Sequence, residues 1–275
     1  MIKMNKKINY LINYLLNENP NIKYREARNF QEKFNLYRSL SNIRPARPIT
    51  PEYINIENKF LKEYASKYKK LTDITNIQTI EDKYPENNLN NPDKICIWQG
   101  DITTLQIEAI VNAANSQGLG CFVPCHNCID NQINTYAGVQ LRLECDKHMK
   151  TIDYNLKTGN AFTTKGYNLP ADYVIHTVGP IIYDKLTDTD KNQLQNCYTN
   201  TLLQAEKHNI KSVAFCSIST GEFHFPKELA SEIAIKTVDN FLDNDNHFDK
   251  IVFNVYGNDS LEIYENKIKY PKIII

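Results

Sequence analysis

The spacing of apolar residues predicts three helices within the first 90 residues. Near the start, apolar side chains recur at helical intervals, at Ile8, Leu11, Ile12, Leu15 and Leu16. A second helix is predicted over about 25–41. A third begins where the Thr50 hydroxyl can cap the first turn and Pro51 occupies the first helical position. We therefore expect a helical N-terminal extension over residues 1–90.

From residue 91 onward, short apolar runs alternate with amphipathic helices. Strands are predicted at the segments ICIW, IEAIVNAA, DYVIHTVG, SVAFCSI and KIVFNVY. Helices are predicted over about 130–150, 190–208 and 226–243. This alternation indicates an α/β fold, with a mostly parallel sheet covered by helices on both faces. We place this second domain at residues 91–275, because the turn-rich segment DKYPENNLNNPD precedes it.

Charge and composition narrow the classes of partner. The 275 residues include 32 basic and 32 acidic side chains. Proteins that bind nucleic acid through its phosphates usually carry a basic excess, so we expect no nucleic-acid partner. No run approaches the ~18 apolar residues of a membrane span, and we expect no membrane association. The first residues contain no small-residue cleavage site after their apolar stretch, which favours a cytoplasmic protein over a secreted one.

The seven cysteines do not suggest a disulfide framework, because their number is odd and no secretion signal is present. We expect the isolated ones to be buried thiols. Three others lie with a histidine in the eight residues 121–128. Cys121, His126 and Cys128 could hold one tetrahedral zinc ion with a fourth position open, as in catalytic zinc sites. Cys125 could replace one of them or complete a closed structural site, and simple packing of the thiols is the remaining alternative.

Polar residues follow the predicted strands, where open α/β sheets bind their ligands. The carboxylate of Asp101 could accept a hydrogen bond from an adenine amine, or cap a turn. Asn112 is expected to bind the backbone, whereas Asn115 is expected to point into the crevice, where an amide suits a sugar hydroxyl. Asp130 opens a helix, either as a cap or as a functional carboxylate.

Two later segments also follow strands. In ISTGEFHFP, residues 218–226, small residues let the backbone approach a phosphate, and turn N–H groups can cradle it. Phe223 and Phe225 flank this turn and could wall a ribose or belong to the core. Tyr256 ends the last predicted strand, where it could stack on a base or pack inside.

Taken in order, these motifs resemble the macrodomain pattern. GDIT is followed by IVNAANS, then by an aspartate-containing loop that opens a helix with an AG pair, and then by STGEF. The resemblance covers most of residues 94–270. It implies ADP-ribose binding and a macrodomain three-layer α/β/α sandwich with a mixed, mostly parallel sheet, preceded by the helical extension.

The loop GCFVPCHNCIDNQI narrows the resemblance, because most de-ADP-ribosylating macrodomains have a glycine run there. It is similar to the loop of zinc-containing macrodomains from bacteria and some lower eukaryotes, and YLLNE and NIRPARPIT are similar to their extension. That family implies a zinc-dependent hydrolase that removes mono-ADP-ribose from ADP-ribosylated proteins, most simply from Asp or Glu esters. Its members accompany sirtuin-like ADP-ribosyltransferases and lipoylated carrier proteins in some bacteria.

The resemblance also implies roles for individual residues. It assigns catalysis to Asp130 and Asn115, and Zn²⁺ to Cys121, His126 and Cys128. It assigns ADP-ribose contacts to Asp101, Ile102, Asn115, Ser219, Thr220, Gly221, Glu222, Phe223 and Tyr256. Three positions depart from the family pattern. Asn134 replaces a common histidine, so any contribution of that histidine to the site is lost. His224 replaces a common glycine, and Cys125 is an extra thiol in the loop.

Other functions fit the same residues. A reader module would bind ADP-ribosylated proteins without cleaving them, and a related enzyme would deacylate O-acetyl-ADP-ribose. A zinc-stabilised scaffold would have no nucleotide site. Within the hydrolase hypothesis, zinc could activate a water molecule, or it could hold ribose hydroxyls or a phosphate while Asp130 activates the water.

Overall fold

The computed structural model describes residues 2–243 and 246–269, and residues 1, 244–245 and 270–275 of the two predicted domains lie outside this description. The three helices predicted near the start are confirmed as α1 (Ile2–Glu18), α2 (Phe30–Ile43) and α3 (Pro51–Tyr68). Thr50 caps α3 by accepting a hydrogen bond from the N–H of Tyr53 at 3.3 Å. We call α1 to α3 the helical extension.

The helical extension has an apolar core of its own, which also contacts the rest of the chain. Met4, Ile8 and Leu11 of α1 are buried against aromatic side chains of α2 and α3. Phe34 stacks on Tyr64 with 4.0 Å between the ring centroids. The same cluster includes Val139 and Tyr136 from the second part of the chain. The extension therefore packs on helices that follow residues 121–128, which we call the cysteine loop. No helix within the described residues is long and apolar enough to cross a membrane.

A six-stranded sheet forms the centre of the second part. Its strands are β2 (Ile95–Gln99), β4 (Ala109–Ala113), β5 (Ala161–Lys165), β6 (Tyr173–Thr177), β7 (Ser212–Phe215) and β8 (Lys250–Val255). Their order is β2-β8-β7-β4-β6-β5, and only β5 runs antiparallel to its neighbour. The predicted mixed, mostly parallel sheet is therefore confirmed. Two short strands, β1 (Thr72–Asp73) and β3 (Leu105–Gln106), pair separately.

Helices flank this sheet in two groups. One group contains α5 (Ile129–Ala137) and α6 (Val139–Lys150), and the other contains α7 (Asp188–Lys207), α8 (Lys227–Leu242) and α9 (Asn258–Lys269). A short helix, α4 (Ile80–Lys83), precedes β2 and contacts it. Because helices cover both faces of the sheet, the central strands consist of consecutive apolar residues. Ile110, Val111 and Ile175 are fully buried.

The sequence prediction was wrong or incomplete for four elements of the second part of the chain. The helix predicted over 130–150 is two helices, because Gly138 has a φ of 88°, a left-handed conformation that ends α5 and that glycine adopts without steric cost. Strand β5 and helix α9 were not predicted. The strand predicted from IEAIVNAA is confined to Ala109–Ala113.

The parallel strands bring the predicted site residues to one edge of the sheet. Strands β2, β4, β6, β7 and β8 all end at that edge, since adjacent strands among these five pair in parallel. Asp101, Asn115 and Tyr256 follow three of these ends, and the loop 216–226 follows a fourth. The cysteine loop connects β4 to α5 and so lies at the same edge.

Candidate active site at the carboxyl edge of the sheet

Asp130 lies in the first turn of α5, and its carboxylate is surrounded by side-chain amides. Only 5% of the residue is exposed. Its Oδ1 accepts hydrogen bonds from Nδ2 of Asn112 at 2.8 Å and Nδ2 of Asn134 at 3.1 Å. Nδ2 of Asn115 lies 3.5 Å from Oδ2. The side chain of Asn112 therefore orients a carboxylate, and the expectation that it binds the backbone was wrong.

The interpretation of Asp130 as a helix cap is also wrong. The Sγ of Cys128 caps α5 by accepting a hydrogen bond from the N–H of Asn131 at 3.4 Å. Burial raises the pKa of the Asp130 carboxyl to about 6, although the Asn112 amide and the Arg142 guanidinium favour the ionised form. A carboxyl group with a pKa near neutrality is suited to accept and return a proton.

Behind Asn112 lies a buried histidine that the sequence analysis missed. Nδ1 of His176 is 3.1 Å from Nδ2 of Asn112, and its Nε2 is 2.9 Å from Oγ1 of Thr164. Burial lowers the pKa of His176 to about 3, so the ring is neutral. Because an amide Nδ2 can only donate, we assign Nδ1 as the acceptor and the proton to Nε2. The signal in the sequence is a lone histidine within the apolar strand DYVIHTVG.

Asn115 shapes the loop that leads to the cysteines. Its Oδ1 accepts hydrogen bonds from the N–H groups of Gln117 at 3.1 Å and Gly118 at 3.2 Å, and its Nδ2 donates to the backbone O of Gly120 at 3.2 Å. The side chain is half-buried beside Asp130. Its predicted contact with a ribose stays a prediction.

Cys121, His126 and Cys128 come together as a group of candidate metal ligands. Their donor atoms all lie within 4.8 Å of one another, and Cys121 Sγ is 3.8 Å from His126 Nδ1. Ligands of a tetrahedral zinc ion lie about 3.5–3.8 Å apart, and zinc favours thiolate and imidazole donors. The three residues therefore fit this ion. The thiol of Cys125 instead lies 3.3 Å from the backbone O of Asn35, outside the group.

The loop 216–226 contains the segment that the sequence predicts to hold a phosphate. Ser219 and His224 have left-handed φ values of 64° and 57°, a backbone conformation that glycine adopts without steric cost. Within the described residues, the N–H groups of Gly221, Glu222 and Phe223 donate to no acceptor. A Cβ added to Gly221 would meet no atom within 4 Å, so this position faces open space. Consecutive free N–H groups of this kind can bind a phosphate.

This loop also lies beside the cysteine loop. The carboxylate of Glu222 is 3.8 Å from Nε2 of His126. Phe223 is half-buried, and its backbone O accepts a hydrogen bond from the N–H of Ile182 at 2.9 Å. Phe225 is buried in the core. The candidate phosphate site and the candidate metal site therefore adjoin.

Asp101 caps a turn, which is one of the two roles that its position suggested, and its contact with an adenine amine stays a prediction. Its Oδ1 caps the short 3₁₀ helix Ile102–Thr104 by accepting from the N–H of Thr103 at 3.0 Å. Its Oδ2 is 2.6 Å from the Lys69 ammonium, which lies 3.4 Å from the centroid of the Tyr136 ring. Although burial raises the pKa of Asp101, Lys69 and Thr103 together lower it, so the carboxylate is charged. Nearly half of the side chain remains exposed.

Two further predicted contacts have contrasting surroundings. The side chain of Ile102 is buried in the core, so only its backbone is placed to meet a ligand. Tyr256 is 84% exposed at the end of β8, so the alternative that it packs in the core was wrong. Its exposed ring is free to stack on a planar ligand.

Comparison with known proteins matches this geometry to one family. Residues 111–234 match the family model described as Macro domain. A protein-ADP-ribose hydrolase from Staphylococcus aureus (strain Mu50) is 44% identical over 241 residues, which cover 87% of this chain and 86% of that protein. A protein-ADP-ribose hydrolase from Treponema medium is 44% identical over 260 residues, covering 94% of this chain and 96% of that protein.

A solved structure shares the fold. The Trypanosoma brucei macrodomain, determined in complex with ADP-ribose, superposes with a TM-score of 0.63 at 28% sequence identity. The match covers 80% of this chain and 91% of that chain. The architecture expected from the sequence is thereby confirmed.

Proposed function

This chain belongs to the macro domain family, and on that premise we propose that it is a zinc-dependent hydrolase that removes mono-ADP-ribose from modified protein side chains. Relatives that are 44% identical over most of both chains are named protein-ADP-ribose hydrolases. The observation that carries the proposal is the juxtaposition of the buried Asp130 carboxylate with the Cys121, His126 and Cys128 donors, since Cys128 directly caps the helix of Asp130.

ADP-ribose would lie along the carboxyl edge of the sheet. The partly exposed carboxylate of Asp101 would accept a hydrogen bond from the adenine amine, and the Tyr256 ring would stack on the base. The free N–H groups of Gly221, Glu222 and Phe223 would bind the diphosphate. The distal ribose would then lie between Asn115 and Asp130, with the modified side chain beyond it. Binding energy from the remote adenine and diphosphate would hold the reacting ester in place.

Asp130 would act on the attacking water in this arrangement. Its Oδ1 is held by two amides, whereas Oδ2 has only the Asn115 amide at 3.5 Å and would accept a proton from the water. Water would add to the ester between the ribose and an Asp or Glu side chain. The acyl–oxygen bond would break, and the proton would pass to the ribose oxygen, giving free ADP-ribose and the unmodified side chain. Zinc held by Cys121, His126 and Cys128 would supply Lewis-acid charge beside the reacting oxygens.

A direct assay tests this function. A protein carrying mono-ADP-ribose on acidic side chains is incubated with the chain, and released ADP-ribose is quantified beside Asp130→Ala and Cys128→Ala. We expect release by the unmutated chain and its collapse in both variants. If Asp130→Ala still releases ADP-ribose, the catalytic role would belong to the cysteine loop and not to Asp130.

The same assay separates the alternatives. ADP-ribose binding without release would favour a reader module. A second substrate, a lipoylated carrier protein modified by a sirtuin-like ADP-ribosyltransferase, would be tested before that conclusion is drawn. Release of acetate from O-acetyl-ADP-ribose, with none from modified protein, would favour the deacylase. Absence of ADP-ribose binding would leave only a zinc-stabilised scaffold.

A further inference from the structure

Helix α2 of the helical extension contacts the backbone of the cysteine loop directly. The guanidinium of Arg38 donates through Nε at 3.2 Å and through a terminal nitrogen at 2.8 Å to Oδ1 of Asn131. The same terminal nitrogen donates to the backbone O of His126. One side chain of α2 therefore binds both a candidate metal ligand and the start of α5.

Asn131 transmits the effect of Arg38 to the rest of the loop. It is fully buried in α5. Its Nδ2 donates to the backbone O of Val123 at 2.8 Å and lies 3.5 Å from that of Cys121. Since Oδ1 is occupied by two N–H groups of Arg38, the amide can present only its NH₂ to the loop. Arg38 thus ensures that the loop contacts the NH₂ group of Asn131 and not its Oδ1.

A second residue of α2 holds the middle of the loop. The N–H of Cys125 donates to Oδ1 of Asn42 at 2.9 Å, and Nδ2 of Asn42 donates to Oγ1 of Thr135 at 3.1 Å. Asn42 is 1% exposed. Cys125 has a left-handed φ of 55°, a strained conformation that is uncommon for a residue with a side chain. The contact with Asn42 stabilises this turn between Cys121 and His126.

We propose that Arg38 and Asn42 of helix α2 are positioning residues of the metal site. They hold Cys121, His126 and Cys128 in the arrangement that binds zinc, without contacting the ion themselves. This inference rests on the zinc part of the proposed function. Groups that orient metal ligands without touching the metal commonly raise its affinity by about 10- to 100-fold. The helical extension would then be required for metal binding, although it provides none of the three ligands.

Zinc affinity, measured by competition with a chromogenic chelator, tests the inference without any enzyme assay. Arg38→Met is compared with Lys33→Met, which removes a cation from the same helix. We expect zinc to bind Arg38→Met about 10- to 100-fold more weakly and Lys33→Met with unchanged affinity. Arg38→Lys keeps the charge and the aliphatic stem but lacks the planar fork, so we expect it to lose affinity in the same direction.

Zinc affinity is compared only between variants that fold. Circular dichroism and thermal melting identify variants that fail to fold, and Asn42→Ser then replaces Arg38→Met as the deciding variant. Equal zinc affinity in folded variants would overturn the inference. Failure of the unmutated chain to bind zinc would also overturn it, while ADP-ribose release in chelator-treated buffer would show whether the hydrolase function survives. Weaker zinc binding with normal folding would support the role of α2, even if no substrate were cleaved.

Discussion

Oδ1 of Asp130 lies 2.8 Å from Nδ2 of Asn112, and both groups are buried where β4 approaches the start of α5. The other N–H of the same amide meets His176, whereas Oδ1 of Asn112 is buried with no partner in the described part of the chain. An unpaired buried acceptor costs about 1–3 kcal/mol. The orientation of Asn112 is therefore fixed by what its NH₂ group binds, namely the carboxylate and the imidazole.

Substitutions of His176 should separate this orienting role from simple packing. His176→Leu removes the acceptor for Asn112, so we expect kcat for ADP-ribose release to fall about tenfold, the effect of ~1.4 kcal/mol in the barrier. His176→Gln can accept from Asn112 and donate to Thr164, and it should retain most of the activity. Steady-state kinetics and ADP-ribose titrations provide the measurement, with affinity changed little in either variant. Equal activity of the two variants would show that His176 serves only to fill the core.

The local pattern of the sequence was sufficient to predict most strands of the sheet and to place the candidate site residues at one edge of it. Apolar runs marked five of the six strands in the main sheet. The rule that ligands bind beyond the strand ends selected Asp101, Asn115, Asp130 and residues 218–226. Gly138 was missed as a helix break, because Ile129, Ile133, Ala137 and Leu141 continue at helical spacing across it.

Contacts between distant residues could not be predicted in this way. Asn112 and His176 are 64 positions apart, and Arg38 and Asn131 are 93 apart. Such pairs depend on strand order and on how α2 packs against α5, and neither is encoded in local periodicity. The Cys125 thiol points away from the three candidate metal ligands because it contacts the backbone of α2, and this contact likewise could not be predicted.

Gly221 should tolerate a side chain in the fold but not in the complex. A Cβ there would meet no atom within 4 Å, and a substituted residue would not be strained by a left-handed φ. We expect Gly221→Leu to keep the melting temperature within a few degrees of the unmutated chain and to weaken ADP-ribose binding more than tenfold, because the side chain would cover the free N–H groups. Thermal melting and calorimetric titration measure the two effects.

The matched control for this substitution is Gly166→Ala. A Cβ at Gly166 would lie 1.9 Å from the backbone O of Ala171, so this smaller change should destabilise the protein. Tight ADP-ribose binding by Gly221→Leu would contradict the assignment of this loop to the diphosphate.

The buried carboxyl of Glu57 should make stability depend on pH. Burial raises the pKa of Glu57, although hydrogen bonds from Tyr37, the Val139 N–H and Tyr53, together with the charge of Arg44, favour the ionised form. Because the folded-state pKa exceeds the unfolded one, the folded state binds the proton more tightly. The contribution to stability is therefore full below the ordinary glutamate pKa and is lost as pH rises through the raised value.

Glu57→Gln should remove that dependence. Its amide can accept from the Val139 N–H and donate to a tyrosine oxygen, so the contact between α3 and the start of α6 is retained. Urea unfolding at several pH values from 4 to 8 measures the free energy of unfolding. We expect the unmutated chain to lose stability relative to Glu57→Gln as pH increases across this range. Parallel pH profiles for the two proteins would mean that Glu57 titrates normally.

Two thiols four positions apart in the cysteine loop should respond differently to replacement by serine. The Sγ of Cys121 belongs to the donor group with His126 and Cys128, whereas the Sγ of Cys125 lies 3.3 Å from the backbone O of Asn35. We expect Cys125→Ser to retain one zinc per chain after dialysis, because a hydroxyl can make the same contact with that oxygen. Cys121→Ser should lose the metal, because zinc prefers thiolate to hydroxyl donors. Metal analysis by mass spectrometry provides the count, and loss of zinc from Cys125→Ser would instead identify Cys125 as a fourth ligand and the site as closed and structural.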